Sequence, residues 1–333
     1  MPATSAPTTA TSREVLLIGF GGPTRGCCKR VDPCPGEAYC FVSGIFGHNP
    51  ARKARIEEVT GHYRQLGGYS GYNAHTDKQA SALKQELAKR GHPLNIRTGY
   101  HHWMPYARTT IAEMARDGVK DAVVLIMAPH QSSVSWDLYL RITGEGIEQA
   151  GPNAPRISAV VDPWWNKQGF IEAIAARIRE AAGREGINLN DPATGLLLSA
   201  HSIPRPVAET SPYCKQVEET AALVVKSLGL KPGDTRVAYQ SQPADSRIEW
   251  TGPSIERALD ELKASGKKAV IGAAVGFLCD NVEVLHDLGI EGKQHANSIG
   301  LKFTRAQAVH DHPAFISMLA DQVEAKLKAL ATA

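Results

Sequence analysis

Short runs of Val, Ile and Leu recur along the chain, and each is followed by a longer stretch in which apolar residues return every three or four positions. That alternation is the mark of buried parallel strands and of the helices that cover them. It predicts strands near 14–20 (EVLLIGF), 95–101, 121–128 (DAVVLIMA), 156–162, 194–200 (TGLLLSA), 235–240, 268–277 (KAVIGAAVGF) and 301–306. It predicts helices near 52–66, 74–90, 105–117, 135–149, 167–184, 213–228, 253–265 and 313–331. The eight strands divide four and four about 184–193 (REGINLNDPA), a polar, proline-containing stretch that reads as a linker. The expected fold class is α/β: two doubly wound, Rossmann-like parallel-sheet domains with a cleft between them. Residues 14–165 form the first and 194–310 the second, with a connecting helix and linker over 166–193. The last helix, within 311–333, is expected to pack back on the first domain, and residues 1–13 to be a disordered tail.

Ligands of open α/β sheets bind beyond the carboxyl ends of the strands, and here those ends are loaded with polar groups. Three predicted strands run into histidine: GYHH (His101, His102), IMAPH (His130) and LLLSAH (His201). Another ends in YQSQ, with Gln240 and Gln242, and another in GFLCDN just before Glu283. If both sheets present these ends to one crevice, imidazoles and a carboxylate converge there, the raw material of a metal or acid–base site. His201 sits where a buried strand opens to a loop, so its imidazole can be neutral and accept a proton or a divalent metal; the plain alternative is a structural histidine tied to a loop carbonyl. Glu283 begins a predicted helix capped by Asp280 or Asn281. Asp287 lies one turn on and Glu291 a further turn, although Gly289 offers an earlier end to the helix. The competing reading of this acidic row is a solvated helix face.

Charge and composition narrow the partners. A formal net charge of +3 over 333 residues, with no long Lys/Arg block, excludes a general nucleic-acid binder. The first thirteen residues lack an apolar core, and no later stretch approaches the ~18 apolar residues of a membrane span. A monomeric, cytoplasmic protein is expected, with peripheral membrane contact left open.

SAHSIP followed by SPYCKQVEET, YQSQ with the later Trp250-Thr251-Gly252-Pro253, and GFLCDNVEVLHDLGIE resemble the successive motifs of the ferrochelatases. Upstream, IGFGGP, HYRQLGGYS, GYHHWMPY and APHQSSVSWDLYL resemble the same family, in its order, over roughly residues 14–325. The resemblance implies a chelatase-like fold and a lyase that inserts ferrous iron, as substrate, into coproporphyrin III or protoporphyrin IX in haem biosynthesis. It makes His201 and Glu283 the facing catalytic and metal-binding pair. Asp287 and Glu291 become further metal-handling carboxylates, and Phe20, His102, Tyr139 and Trp250 porphyrin contacts. The chain also departs from the family: Phe20 cannot supply an axial oxygen, Asn281 replaces a common histidine, His286 a common tyrosine, and His101 a common arginine. The alternatives are a chelatase for another metal and tetrapyrrole, a non-enzymatic haem or metal carrier, and a two-lobed solute-binding module.

GCCKRVDPCPGEAYC, within residues 24–50, occupies the place of an apolar helix that forms a lip over the cleft in the family. Cys27, Cys28, Cys34 and Cys40 are candidate ligands for zinc or an iron–sulfur cluster, with free thiols or a cysteine pair as the alternative. Replacement of that lip, together with Arg25, Lys29, Arg30 and Arg52 as partners for extra propionates, favours coproporphyrin III.

Overall fold

The computed structural model describes residues 13–26, 34–243 and 246–332. The first half contains β1 (Arg13–Gly19), α1 (Glu37–Ile45), α2 (Lys53–Gln65), α3 (Tyr72–Lys89), β2 (Ile96–Tyr100), α4 (Ala107–Arg116), β3 (Asp121–Ile126), α5 (Trp136–Ala150) and β4 (Arg156–Val160). After α6 (Gln168–Glu185) come β5 (Thr194–His201), α7 (Arg205–Glu209), α8 (Tyr213–Leu228), β6 (Thr235–Gln240), α9 (Ile255–Ala264) and β7 (Ala269–Ala274). A π-helix (Val284–Glu291) runs directly into α10 (Gly292–Ser298), followed by β8 (Lys302–Arg305) and α11 (Pro313–Thr332). Two four-stranded parallel sheets result, ordered β2-β1-β3-β4 and β6-β5-β7-β8. The α/β expectation and all eight predicted strands are found.

Alternation along the central strands explains the layering. Val15 and Leu17 of β1 face a core that also holds Leu196 and Leu198 of β5 and Ile271 of β7, so this apolar layer is common to both sheets. The intervening Leu16 and Ile18 face α4 and α5, and Leu197 and Val270 face α9 and α10. Both faces of each sheet are thus covered, which is why these strands read as continuous apolar runs. The shared layer is completed by α3, α6, α8 and α11. Helix α11 is held on α3 by Arg90, which donates to Asp321, Glu324 and Ser317.

Two local expectations are corrected. No helix was expected within residues 24–50, yet α1 starts at Glu37 and buries Cys40, Phe41 and Val42 completely or nearly so, because EAYCFVSGI carries an apolar face once past Pro35 and Gly36. Nor does Gly289 end the helix that follows Glu283. It lies inside the π-helix, with its backbone close to the Arg305 side chain, and the helix continues to Ser298.

Gly169, at the start of α6, is where α11 comes nearest: a Cβ there would stand 2.7 Å from Met318 Cβ and collide with the carbonyl of Ala314. The backbone cannot yield without parting the two helices. Gly169→Ala is therefore expected to lower unfolding stability by about 1–3 kcal/mol, read as a reduced urea midpoint at unchanged slope.

Candidate active site

In each sheet the chain reverses its direction of winding after the first strand, between β1 and β3 and again between β5 and β7. Such switch points leave a crevice beyond the strand ends. Phe20 follows β1, the segment from Met127 to His130 follows β3, His201 ends β5, and the loop to Glu283 follows β7. These segments line one cleft of about 1620 Å³. It is larger than the roughly 300–1,000 Å³ of ordinary small-molecule pockets, a size suited to a broad, flat ligand.

His201 is fixed by its neighbours. Its Nδ1 lies 2.5 Å from the Ser202 carbonyl oxygen. A carbonyl only accepts, so in the neutral ring it is Nδ1 that carries the proton and Nε2 that has the lone pair. The His201 carbonyl in turn accepts from the Tyr213 hydroxyl at 2.8 Å, and the buried Ser202 hydroxyl donates to the Thr251 carbonyl at 2.7 Å. The same loop brings in Trp250, whose backbone bridges to Pro204 and whose indole N–H donates to Ser246 Oγ at 2.9 Å.

The loop carrying Glu283 is anchored by Asp280. Arg305 donates to its two oxygens at 2.7 and 3.1 Å, and the Ala308 N–H reaches it at 3.0 Å. Burial alone would raise the Asp280 pKa, but the His310 hydrogen bond and the Arg305 guanidinium overcome it and hold the carboxyl well below the usual range. Of the two predicted caps, Asn281 is the one used: its Oδ1 accepts the Val284 N–H at 3.0 Å while its Nδ2 donates to Glu283 Oε2 at 2.5 Å. Glu283 is half-buried. Burial raises its pKa, with Asp287 acting in the same direction, while His201 and the Asn281 hydrogen bond oppose without cancelling the rise.

Hydrogen bonds of i→i+5 type widen the turn of a π-helix, and Glu283, Asp287 and Glu291 all line the cleft. Asp287 accepts a hydrogen bond from Ser241, beyond β6. The structure therefore brings together His201, Glu283, Asp287, Glu291, Phe20, Tyr139 and Trp250, each of which was singled out in the sequence.

The His102 ring packs on Phe20, centroids 4.6 Å apart, with His101 at 4.0 Å. The chain bends after β2, and the ring turns toward Phe41. His130 does line the cleft, yet its Nε2 is tied to Thr220 Oγ1 at 2.9 Å and burial pushes its pKa down to about 3, so it is a neutral structural group.

The expected replacement of an apolar lip is also overturned, because Val42, Ile45 and Phe46, of α1 and its end, line the cleft. Of the candidate propionate partners, Arg52 lines the cleft, Arg25 lies over the Tyr69 ring at 5.5 Å, and Lys29 and Arg30 lie outside the described residues. Arg55 and Arg247 line it too, although the sequence reading passed over both. Cys27 and Cys28 also lie outside the described residues; Cys34 is exposed and Cys40 buried. His62 is a further lining residue that the sequence reading missed, within the motif HYRQLGGYS. No helix among the described residues is long and apolar enough to cross a membrane.

Known proteins are similar to this chain in fold and in sequence. The fold is similar to that of the chelatase SirB from Bacillus subtilis (TM-score 0.54, 12% identity, 95% of each chain covered). It is similar also to CbiX of siroheme biosynthesis (TM-score 0.52, 15% identity, 94% of this chain and 98% of that one). In sequence, the chain is 32% identical to a ferrochelatase of Deinococcus radiodurans over 96% of its own length and 98% of the relative's. It is 31% identical to a coproporphyrin III ferrochelatase of Nocardia farcinica, over 95% and 89%. The ferrochelatase family model matches residues 43–327, a span that holds most of the cleft-lining residues, including His201 and the π-helix. Sheet order, strand-end chemistry and full-length relatives agree, and the chain belongs to the ferrochelatase family.

Proposed function

We propose that the protein inserts ferrous iron into a porphyrin held in the cleft, with His201 and Glu283 as the reacting pair. The observation that carries this reading is the His201 imidazole, fixed through Nδ1 on the Ser202 carbonyl, lining the same cleft as the Glu283 carboxyl group.

Insertion replaces two pyrrole N–H bonds with bonds to a divalent ion, so two protons leave as one Fe²⁺ enters and charge is conserved. Nε2 of His201 accepts the first proton. Glu283, made more basic by burial, is suited to receive a proton or to hold the incoming ion, and Asn281 keeps it in place. Asp287 and Glu291 continue the acidic row along the π-helix and serve as metal-handling groups upstream of the pair. Phe20, Tyr139 and Trp250 supply ring surface for the macrocycle.

Two substrates have structural support. Arg52, Arg55 and Arg247 at the cleft favour a porphyrin rich in propionates, which is coproporphyrin III. Val42, Ile45 and Phe46 would instead suit the vinyl groups of protoporphyrin IX. We assign coproporphyrin III, and the ratio of kcat/KM for the two porphyrins decides, with a higher value for protoporphyrin IX reversing the assignment.

His201→Ala is expected to lower iron insertion by about 10²–10⁴-fold, the usual range for a lost general base, with porphyrin binding retained in fluorescence titration. Turnover near normal in a folded variant would reject the pair. Glu283→Gln should reduce kcat and leave porphyrin affinity nearly unchanged, since shape is kept while charge and basicity are lost. Loss of affinity at constant kcat would make Glu283 a structural anchor.

The proposal extends to the lip, where four cysteines fall within fourteen residues. Zinc or an iron–sulfur cluster held by Cys27, Cys28, Cys34 and Cys40 should appear in metal and sulfide analysis of protein isolated without oxygen. Four alkylatable thiols and no such metal would leave these cysteines as packing residues.

A further inference from the structure

Two histidines meet where α3, in the first half of the chain, touches the segment between β8 and α11 in the second. His75 Nδ1 lies 2.8 Å from His310 Nδ1, with the ring centroids 4.0 Å apart. The other ring nitrogen of His310, Nε2, lies 3.4 Å from Asp280 Oδ2. His310 is buried and its backbone is bonded as well: its N–H donates to the Leu278 carbonyl at 3.0 Å, and its carbonyl accepts from Gln79 Nε2 at 2.9 Å. Gln79 stands one helical turn beyond His75 on α3 and also donates to the Leu278 carbonyl, at 3.1 Å. The His310 backbone is left-handed, with φ 47°, a conformation that residues other than glycine rarely adopt and that persists where surrounding bonds fix it. One residue thus links α3 to the loop that carries Glu283, through Asp280 three positions before it.

An Nδ1–Nδ1 hydrogen bond needs one ring to donate and the other to accept, so it constrains how many protons the two imidazoles hold. With both rings neutral, His310 turns Nε2–H toward the Asp280 carboxylate and accepts at Nδ1 from His75. One added proton keeps the bond and reverses it: both nitrogens of His310 are then protonated, facing Asp280 and His75, and His75 accepts. A second added proton sets two donors face to face, and the bond is lost. The charges around the pair oppose that step in sum. Burial and His310 push the His75 pKa down, and Lys78 on α3 acts the same way, while Asp280 and Asp311 pull against them without reversing the shift. Asp280 is itself shared with Arg305, which donates to both of its oxygens.

We propose that His75 and His310 are a proton-sensitive positioning pair for Glu283, whose Nδ1–Nδ1 bond holds α3 against the Glu283 loop until a second added proton breaks it. The proposal rests on Glu283 being a reacting group and adds the device that keeps its loop in register with the first half of the chain. The folded chain resists the second proton more than the unfolded chain does. The pair's contribution is therefore complete above the ordinary histidine range, near 6.5, and is lost as pH falls through the lowered value of His75.

The experiment combines nitrogen-15 NMR of the histidines in the full chain with kcat–pH profiles for the native protein, His75→Asn, His75→Phe and Glu283→Gln. Scalar coupling between the two Nδ1 nuclei, which passes only through a hydrogen bond, should be present at neutral pH and vanish on acidification. His75→Asn keeps an amide donor near the Nδ1 position but takes up no proton. It should retain neutral-pH turnover, and its profile should fall later on the acid side than the native one. His75→Phe keeps a ring and loses the bond. It should lower kcat at neutral pH by roughly threefold to tenfold, the equivalent of one net hydrogen bond, with the KM for porphyrin unchanged. Absence of the coupling in folded native protein would overturn the pair, as would superimposed profiles for the native protein and both His75 variants. Glu283→Gln should keep the coupling. Lost turnover in that variant beside superimposed His75 profiles rejects the positioning pair alone, whereas full turnover in Glu283→Gln rejects the reacting pair, and with it any positioning role for His75 and His310.

Discussion

The apolar layer shared by the two sheets is the constraint on which the rest depends. Val15 and Leu17 from one sheet and Leu196, Leu198 and Ile271 from the other belong to a single core, sealed by α3, α6, α8 and α11. A core common to both sheets resists sliding, because close-packed interiors do not deform continuously. The carboxyl ends of β1 and β3 are thereby held opposite those of β5 and β7, with the cleft between them.

Polar anchoring then refines what the apolar layer sets. The segment from Leu278 to Glu283 has no ladder of its own, yet Asp280 is gripped by Arg305 and by the Ala308 N–H, and Gln79 of α3 donates to the carbonyls of Leu278 and His310. The two bonds from Gln79 join the halves of the chain beside this segment. A carboxylate stabilised by so many donors stays ionised, whereas Glu283, three residues further on, has only Asn281 and a buried setting. Two acidic side chains on one loop are thus driven in opposite directions, one held ionised against the backbone and the other drawn toward its protonated form.

The strands were legible because a strand buried on both faces writes itself as an apolar run, and His201 was legible because it terminates one. The π-helix was not, since nothing in the spacing of Glu283, Asp287 and Glu291 distinguishes i→i+5 from i→i+4 bonding. Helix α1 was obscured by the Pro, Gly and Cys residues that precede and enter it, although its apolar face decides the outcome. Adjacency to a strand end does not say to which side the next ring turns, and the packing of His102 on Phe20 could not be read in advance. His62 lies on a polar helix whose register against the second half of the chain is set only by tertiary packing.

Finally, the order β2-β1-β3-β4 is repeated as β6-β5-β7-β8, so Phe20, just past β1, and His201, at the end of β5, hold corresponding places in two copies of one pattern. One copy ends in a hydrocarbon ring with neither lone pair nor proton, the other in an imidazole with both. Near-symmetry of the frame therefore places unlike chemistry at like positions, a ring that can neither take nor release a proton after one sheet's first strand and a ring that can do both at the end of the other's.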